Sequence, residues 1–291
     1  ISPYFRSSAI WVLGDNLALI FFSSSVLFYL KFKSEKKIYL FYLCLISIIL
    51  CCYIRYYYAL FYLFYFFNSL KNLNNKEIST SLLISIIFSL PAFVCFYFII
   101  KNYNFLDIAY TYTKLNYLGN IYYILSIILF YLIPFAFFDL KKIFLFYKNK
   151  KKQLLTLILP LIVILLLDII YQNNLINISI YGGGVFRKLI SFLNLNPTFL
   201  ISFIAMLCVL ILNYYFRKYI YLNFTAIIVF FLSFPMYTIY QKYFDPLLLI
   251  FLFGLIKFSE DNSLLILNKL RLIYLYIYFF SFYIFSMYYY Y

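Results

Sequence analysis

Nine carboxylates, 24 Lys and Arg and no histidine set the chemistry open to this chain of 291 residues. Asp15, Asp107, Asp168 and Asp245 stand apart from the basic clusters. An acid beside an apolar run is costly unless it faces a cavity or a cation, so such an acid is a candidate for proton transfer or ion pairing. Asp15 follows Trp11 and Gly14 in WVLGDNLALIFF, with Arg6 and Arg55 as candidate partners. A pair there could serve a site or only fix helix packing. Asp168 falls about one turn from a helix end, and Asp107 lies in a long loop where solvation suffices.

Bases gather in two segments. In QNNLINISIYGGGVFRKLISFLNLN, Gly182, Gly183 and Gly184 precede Arg187 and Lys188. Consecutive glycines let backbone N–H groups approach an anion, and an arginine fork matches a phosphate. The same stretch also fits a turn followed by an interfacial helix with snorkelling bases. In YQKYFDP, Lys242, Tyr243 and Asp245 crowd a turn closed by Pro246. Asn177, Ile178 and Ser179 match a glycosylation acceptor pattern, which has meaning only in a eukaryotic secretory setting. The absence of histidine removes His-ligated haem and argues against zinc or copper, so no metal and no cofactor are expected. Cys44, Cys51, Cys52, Cys95 and Cys208 lie inside apolar runs without a paired CxxC, and read as small buried hydrophobes.

The elements that must position these residues follow from hydropathy. The chain is 67% hydrophobic and 11% charged, with mean hydropathy +0.94. A soluble domain of this size has nowhere to bury that much apolar surface. The predicted fold class is all-α, a polytopic bundle of about ten transmembrane helices in one domain over 1–291. The predicted spans are 7–30, 38–53, 56–70, 80–100, 121–138, 154–171, 197–216, 222–240, 246–258 and 272–291. The gaps at 31–37, 71–77, 139–152, 217–218 and 257–271 hold 17 of the 24 bases, and the alternate gaps hold 7. That alternation is the positive-inside pattern, which puts the first set on the cytoplasmic side. It favours a hairpin over one long helix across 38–70, because one helix would move the block at 141–152 outside. The net charge of +15 is therefore read as topology, and no nucleic-acid partner is expected. Abundant Tyr and Phe, with Lys, Asn and Ile, fit an AT-rich genome, so aromatic stripes are not read as binding platforms.

The stretch SPYFRSSAIWVLGDNLALIFFSSSVLFYLK, with Ser2, Pro3 and Asp15, resembles the helix of GT-C membrane glycosyltransferases that carries an Asp near its outer end. ILCCYIRYYYALFYLFYFF resembles the hairpin that follows, with Arg55 where those enzymes often carry an Arg. YGGGVFRK and YQKYFDP are similar to outer-loop segments of the branch that includes the dolichyl-phosphate-glucose glucosyltransferase. The His-containing loop of eukaryotic members is absent. The chain begins at Ile1 and reads as lacking N-terminal helices, so the general base, which the family carries in its first outer loop, is expected upstream of Ile1 and no catalytic residue is assigned.

The resemblance implies sugar transfer from a polyprenyl-phosphate donor to a hydroxyl of a glycan or lipid acceptor at the non-cytoplasmic face. Arg187, Lys188 and Lys242 would hold the phosphate, Gly182–Gly184, Tyr243 and Asp245 would line the site, and Asp15 and Arg55 would shape the cavity. Membrane lipid is the surrounding partner. The candidate membranes are, in order, a bacterial inner membrane, the endoplasmic reticulum and the mitochondrial inner membrane. Two rival readings stay open. One is a structural or proton-conducting subunit of an energy-transducing complex. The other is a lipid-linked glycan flippase or polymerase.

Overall fold

A computed structural model of the chain describes residues 14–102, 117–170, 184–193, 197–234, 244, 247–258 and 269–290. The described residues are helical, with no strand among them. The residue pattern explains this. Apolar runs with few Gly and Pro can satisfy their own backbone only as helices when water is scarce.

Helix α1 spans Gly14–Glu35 and runs past Leu30, where the sequence predicts its end. Lysine is a good helix former, and its long stem carries charge outward from the last turn. Lys33 Nζ donates to Asn68 O at 2.8 Å. The helix stops at Lys36, whose φ of 56° is the left-handed conformation that ends helices; its N–H bonds Phe32 O at 2.8 Å. Helix α2, Ile38–Ile54, returns and ends at Arg55 in extended backbone. A 3-10 turn at Tyr56–Tyr58 leads into α3, Ala59–Ser69. Phe32, Leu40, Phe41 and Leu45 pack with Tyr62, Phe66 and Leu73 at the end where α1 meets α2. The 38–70 stretch is therefore a hairpin.

Helix α4, Asn75–Asn102, opens with a reciprocal cap: Glu77 N–H donates to Asn74 Oδ1 and Asn74 N–H to Glu77 Oε2, both at 2.9 Å. It continues through Pro91. Proline leaves a carbonyl one turn back without its donor. Nearby, Tyr53 Oη donates to Phe88 O at 2.7 Å and accepts from Ala92 N–H at 3.1 Å, a side chain seated against the ladder where the proline weakens it.

Helix α5, Tyr117–Ala136, is the hub. Of the apolar window that includes it, 78% is buried, against 11% for α4, so α5 is central and α4 peripheral. It continues by a 3-10 turn, Phe137–Asp139, into α6, Leu140–Asn149, and then α7, Lys151–Ile170. Then come α8 (Gly184–Phe192), α9 (Pro197–Phe216) and α10 (Ile220–Leu232). Helix α11, Leu247–Ile250, passes into a π turn at Phe251–Leu255, and α12 covers Lys269–Tyr290. Helices α8, α9, α10 and α12 all pack on α5, and the π turn packs on α1. Gly254 allows that approach, since a Cβ there would stand 2.5 Å from Val26 Cγ1.

Several predicted bounds shift. The basic block at 139–152 is helical rather than a gap, because α6 buries Ile143 and Tyr147. The helix predicted to 240 ends at Leu232, and the one predicted over 246–258 is a short helix and a π turn. Among the described residues four helices are long and apolar enough to cross a membrane: Asp15–Glu35, Asn75–Cys95, Asn120–Asn149 and Thr198–Phe216. Cys44, Cys51 and Cys208 are buried as expected, whereas Cys95 is exposed on peripheral α4.

Several contacts gather basic segments at one end. Lys33 meets the α3 terminus at Asn68, near enough to Lys257 for the two cations to repel. Asn223 clamps the Lys257 backbone, donating to its carbonyl at 2.6 Å and accepting from its N–H at 2.9 Å. Arg271 reaches Asp139, and Arg217 lies 6.0 Å from the Phe146 ring centre. The end opposite this basic end carries Asp15 and Arg55.

Candidate functional site

At that opposite end Asp15 sits in the first turn of α1, where the helix dipole favours an anion. The extended backbone of Arg55 ends α2 and lets its side chain cross to α1. Its Nε donates to Asp15 Oδ1, and Tyr57 Oη points to the same oxygen at 3.5 Å. The ion pair is part-exposed, with 37% of the Arg55 and 25% of the Asp15 side chain reachable, so it is a rim pair rather than a core one. Arg6, the other expected partner, lies outside the described residues.

A line of contacts runs on from this pair. The Tyr57 ring packs on Phe234 with centroids 5.0 Å apart. Asn120 Nδ2, on the first turns of α5, donates to Phe234 O at 3.0 Å. One turn further along α5 is Tyr123, only 4% exposed, and the Arg187 guanidinium stands beside its hydroxyl. Tyr123 Oη and Arg187 Nε are both buried, and neither has a hydrogen bond of normal geometry, although each feels the other.

Arg187 is placed by α8. The helix starts at Gly184, buried with φ 75°, a conformation that disfavours any Cβ. It is pinned by buried Ile190 and by Phe186, which meets Phe130 edge-on at 6.3 Å. Arg187 falls in the first turn, and its side chain leans back towards the N-terminus. Lys188 is the next residue, about 100° round the helix. The two bases therefore diverge instead of pointing together. Arg187 with Tyr123 is chemically suited to hold an oxyanion: a delocalised cation and a hydroxyl at the positive end of a helix dipole.

Gly182, Gly183, Lys242, Tyr243, Asp245 and Asp107 lie outside the described residues, as does the side chain of Asp168. The expected meeting of Lys242 with Arg187 falls there too. Phe244 is described; it is fully buried between Phe230 and Phe234, at 5.7 and 4.7 Å.

The structure also shows a group that the spacing of residues did not. At the basic end the Asp139 carboxylate, 6% exposed, accepts from Arg271 at 3.1 Å and from Tyr215 Oη at 3.1 Å, with Lys142 at 3.5 Å. Four elements meet on one acid. Both oxygens are engaged, so the cluster reads as a clamp that holds α12 and α9 to the end of α5. The only sequence signal for it was an arginine three residues into an apolar helix. Among the described residues no three His, Cys, Asp or Glu side chains gather as metal ligands. The chain matches no family model, no curated protein and no solved structure.

Proposed function

We propose that the chain is a multi-pass membrane glycosyltransferase of GT-C type, with about ten crossings, in a bacterial inner membrane. It moves a sugar from a polyprenyl-phosphate donor to a hydroxyl acceptor at the face opposite the basic segments. The observation that supports this reading is Arg187. It is a part-buried guanidinium at a helix start, with a buried Nε that lacks a normal hydrogen bond, beside the Tyr123 hydroxyl. A buried guanidinium N–H that no described residue satisfies is costly unless an anion completes it.

In this mechanism Arg187, helped by Lys242, stabilises the charge on the departing lipid phosphate as the sugar–oxygen bond breaks, while Lys188, turned away round α8, adds only to the positive field of the face. A carboxylate removes the acceptor proton; that base is not assigned to a residue of this chain. Asp15 and Arg55 shape the rim, and the isoprenoid tail lies along apolar helix faces.

The test is binding of polyprenyl phosphate to the protein in nanodiscs, followed by transfer from the sugar-charged lipid. Arg187→Ala should weaken binding about tenfold, equivalent to about 1.4 kcal/mol. Tyr123→Phe should give a smaller loss. Unchanged binding by Arg187→Ala combined with Lys242→Ala would sink the reading. Cysteine labelling at Lys150 and Gly183 should show opposite accessibility, and labelling of both from one side would end the topology. A rival energy-transducing subunit would lose assembly in these variants, with no change in any transferase assay.

A further inference from the structure

We propose that α6 and the lysines after it form a docking surface for anionic phospholipid at the basic end of the molecule. The proposal is independent of the glycosyltransferase reading, since it concerns the other end and a different occupant.

The inner face of α6 is fixed. Ile143 and Tyr147 are buried, and Tyr147 Oη donates to Leu210 O and accepts from Asn213 Nδ2, each at 2.8 Å. The helix is thus bolted to α9 and presents its other faces outward. Leu140 and Phe144 lie one turn apart on the adjoining flank, 49% and 71% exposed. The next stripe alternates Lys141, Leu145 and Lys148, with Leu145 57% exposed. Apolar tips and ammonium groups interleave along a single helix. That is the arrangement of a segment lying in a membrane interface, with rings and Leu among acyl chains and lysines reaching phosphates.

Charge selects the lipid. Six lysines and one acid occupy 139–152. The acid is Asp139, buried and already engaged by Arg271 and Tyr215, so it leaves the surface little countercharge. Lys150 lies 4.7 Å from the Phe146 ring centre, and Arg217 lies 5.4 Å from that of Tyr214, which extends the positive strip towards α9. Phe137 and Phe138, 53% and 37% exposed where α5 leaves off, place the strip beside exposed rings that an acyl region would cover. A soluble polyanion would use the lysines and leave Leu140, Phe144 and Leu145 in water. An anionic leaflet uses both.

The experiment places an environment-sensitive fluorophore at Phe144→Cys in the full chain, reconstituted in neutral bilayers and in bilayers containing phosphatidylglycerol. Lipids brominated on their acyl chains serve as quenchers. Brominated phosphatidylglycerol should quench the label about threefold more strongly than brominated phosphatidylcholine at equal content, and added salt should erase most of the preference. Lys141→Gln with Lys148→Gln and Lys150→Gln should abolish the preference while quenching by the neutral lipid persists. Two results overturn the proposal: equal quenching by the two lipids, or no quenching by either. The wild-type lysine set with the labelled cysteine alone decides between these results, so poor folding of the triple variant does not blunt the test.

Discussion

Arg271 donates to Asp139 Oδ1 at 3.1 Å, joining two residues 132 positions apart. The arginine side chain is 19% exposed and the aspartate 6%, so both charges are largely withdrawn from water. Removing one partner of a buried pair leaves the other without compensation. Arg271→Ala should therefore destabilise the protein by roughly 3 kcal/mol, the low end for buried pairs because Tyr215 and Lys142 remain. Arg271→Met with Asp139→Leu should be milder than either single change. Unfolding in detergent measures both; a harmless Arg271→Ala would show that the clamp is idle.

The Asp15–Arg55 pair predicts a smaller effect. More than a third of the Arg55 side chain is exposed, so solvent screens the attraction. A double-mutant cycle with Asp15→Asn and Arg55→Gln should give a coupling of about 0.2–1 kcal/mol. A coupling several times larger would mean that the rim is dry in the membrane.

Tyr53 predicts a local change in exchange rather than a global loss. Its hydroxyl serves Phe88 O and Ala92 N–H together. Tyr53→Phe should cost about 1 kcal/mol and speed hydrogen exchange near Ala92 more than elsewhere on α4. Uniform exchange along α4 would count against the hydroxyl as the support beside Pro91.

Gly254 predicts a rescue. A Cβ there would meet Val26 Cγ1 at 2.5 Å, and a β-branched valine has little rotamer freedom to yield. Gly254→Ala should cost about 1–3 kcal/mol, and adding Val26→Ala should recover most of it. Additive losses in the double variant would place the strain elsewhere.

Much of the framework was legible because it depends on local pattern. Apolar runs marked the all-helical class and the break of the 38–70 stretch at Arg55, although four of the described helices, against ten predicted spans, are long and apolar enough to cross a membrane. The end of α10 was legible in Pro235, which disfavours helix in the residue before it, so the span predicted to 240 runs past its own stop signal. What the sequence hid is where that end is tied: the Phe234 carbonyl accepts from Asn120, 114 residues away. The Asp139 clamp was hidden for a similar reason. In the sequence Asp139 borders a lysine block and looks like a loop residue. Only folding brings Tyr215 and Arg271 to it. Arg187 was singled out from its glycines, yet its neighbour Tyr123 carries no sequence signal, being one ring among 36 tyrosines. Lys188 was grouped with Arg187 by adjacency, whereas helical geometry turns consecutive residues apart.

The clamp also sets a clock on biosynthesis. Arg271 leaves the ribosome 132 residues after Asp139, which at typical synthesis rates is a wait of roughly 7–26 s. During that interval the carboxylate has Lys142, three residues on, as a nascent partner that it keeps at 3.5 Å in the finished fold. Arrival of α12 then adds a guanidinium beside the ammonium and ties α12 to the hub. A chain halted before Lys269 would be left with that acid short of its principal cation. Arrival of α12 thus separates a chain whose hub is secured from one whose carboxylate still waits, and chains cut between Asp139 and Arg271 should be those that membrane quality control removes first.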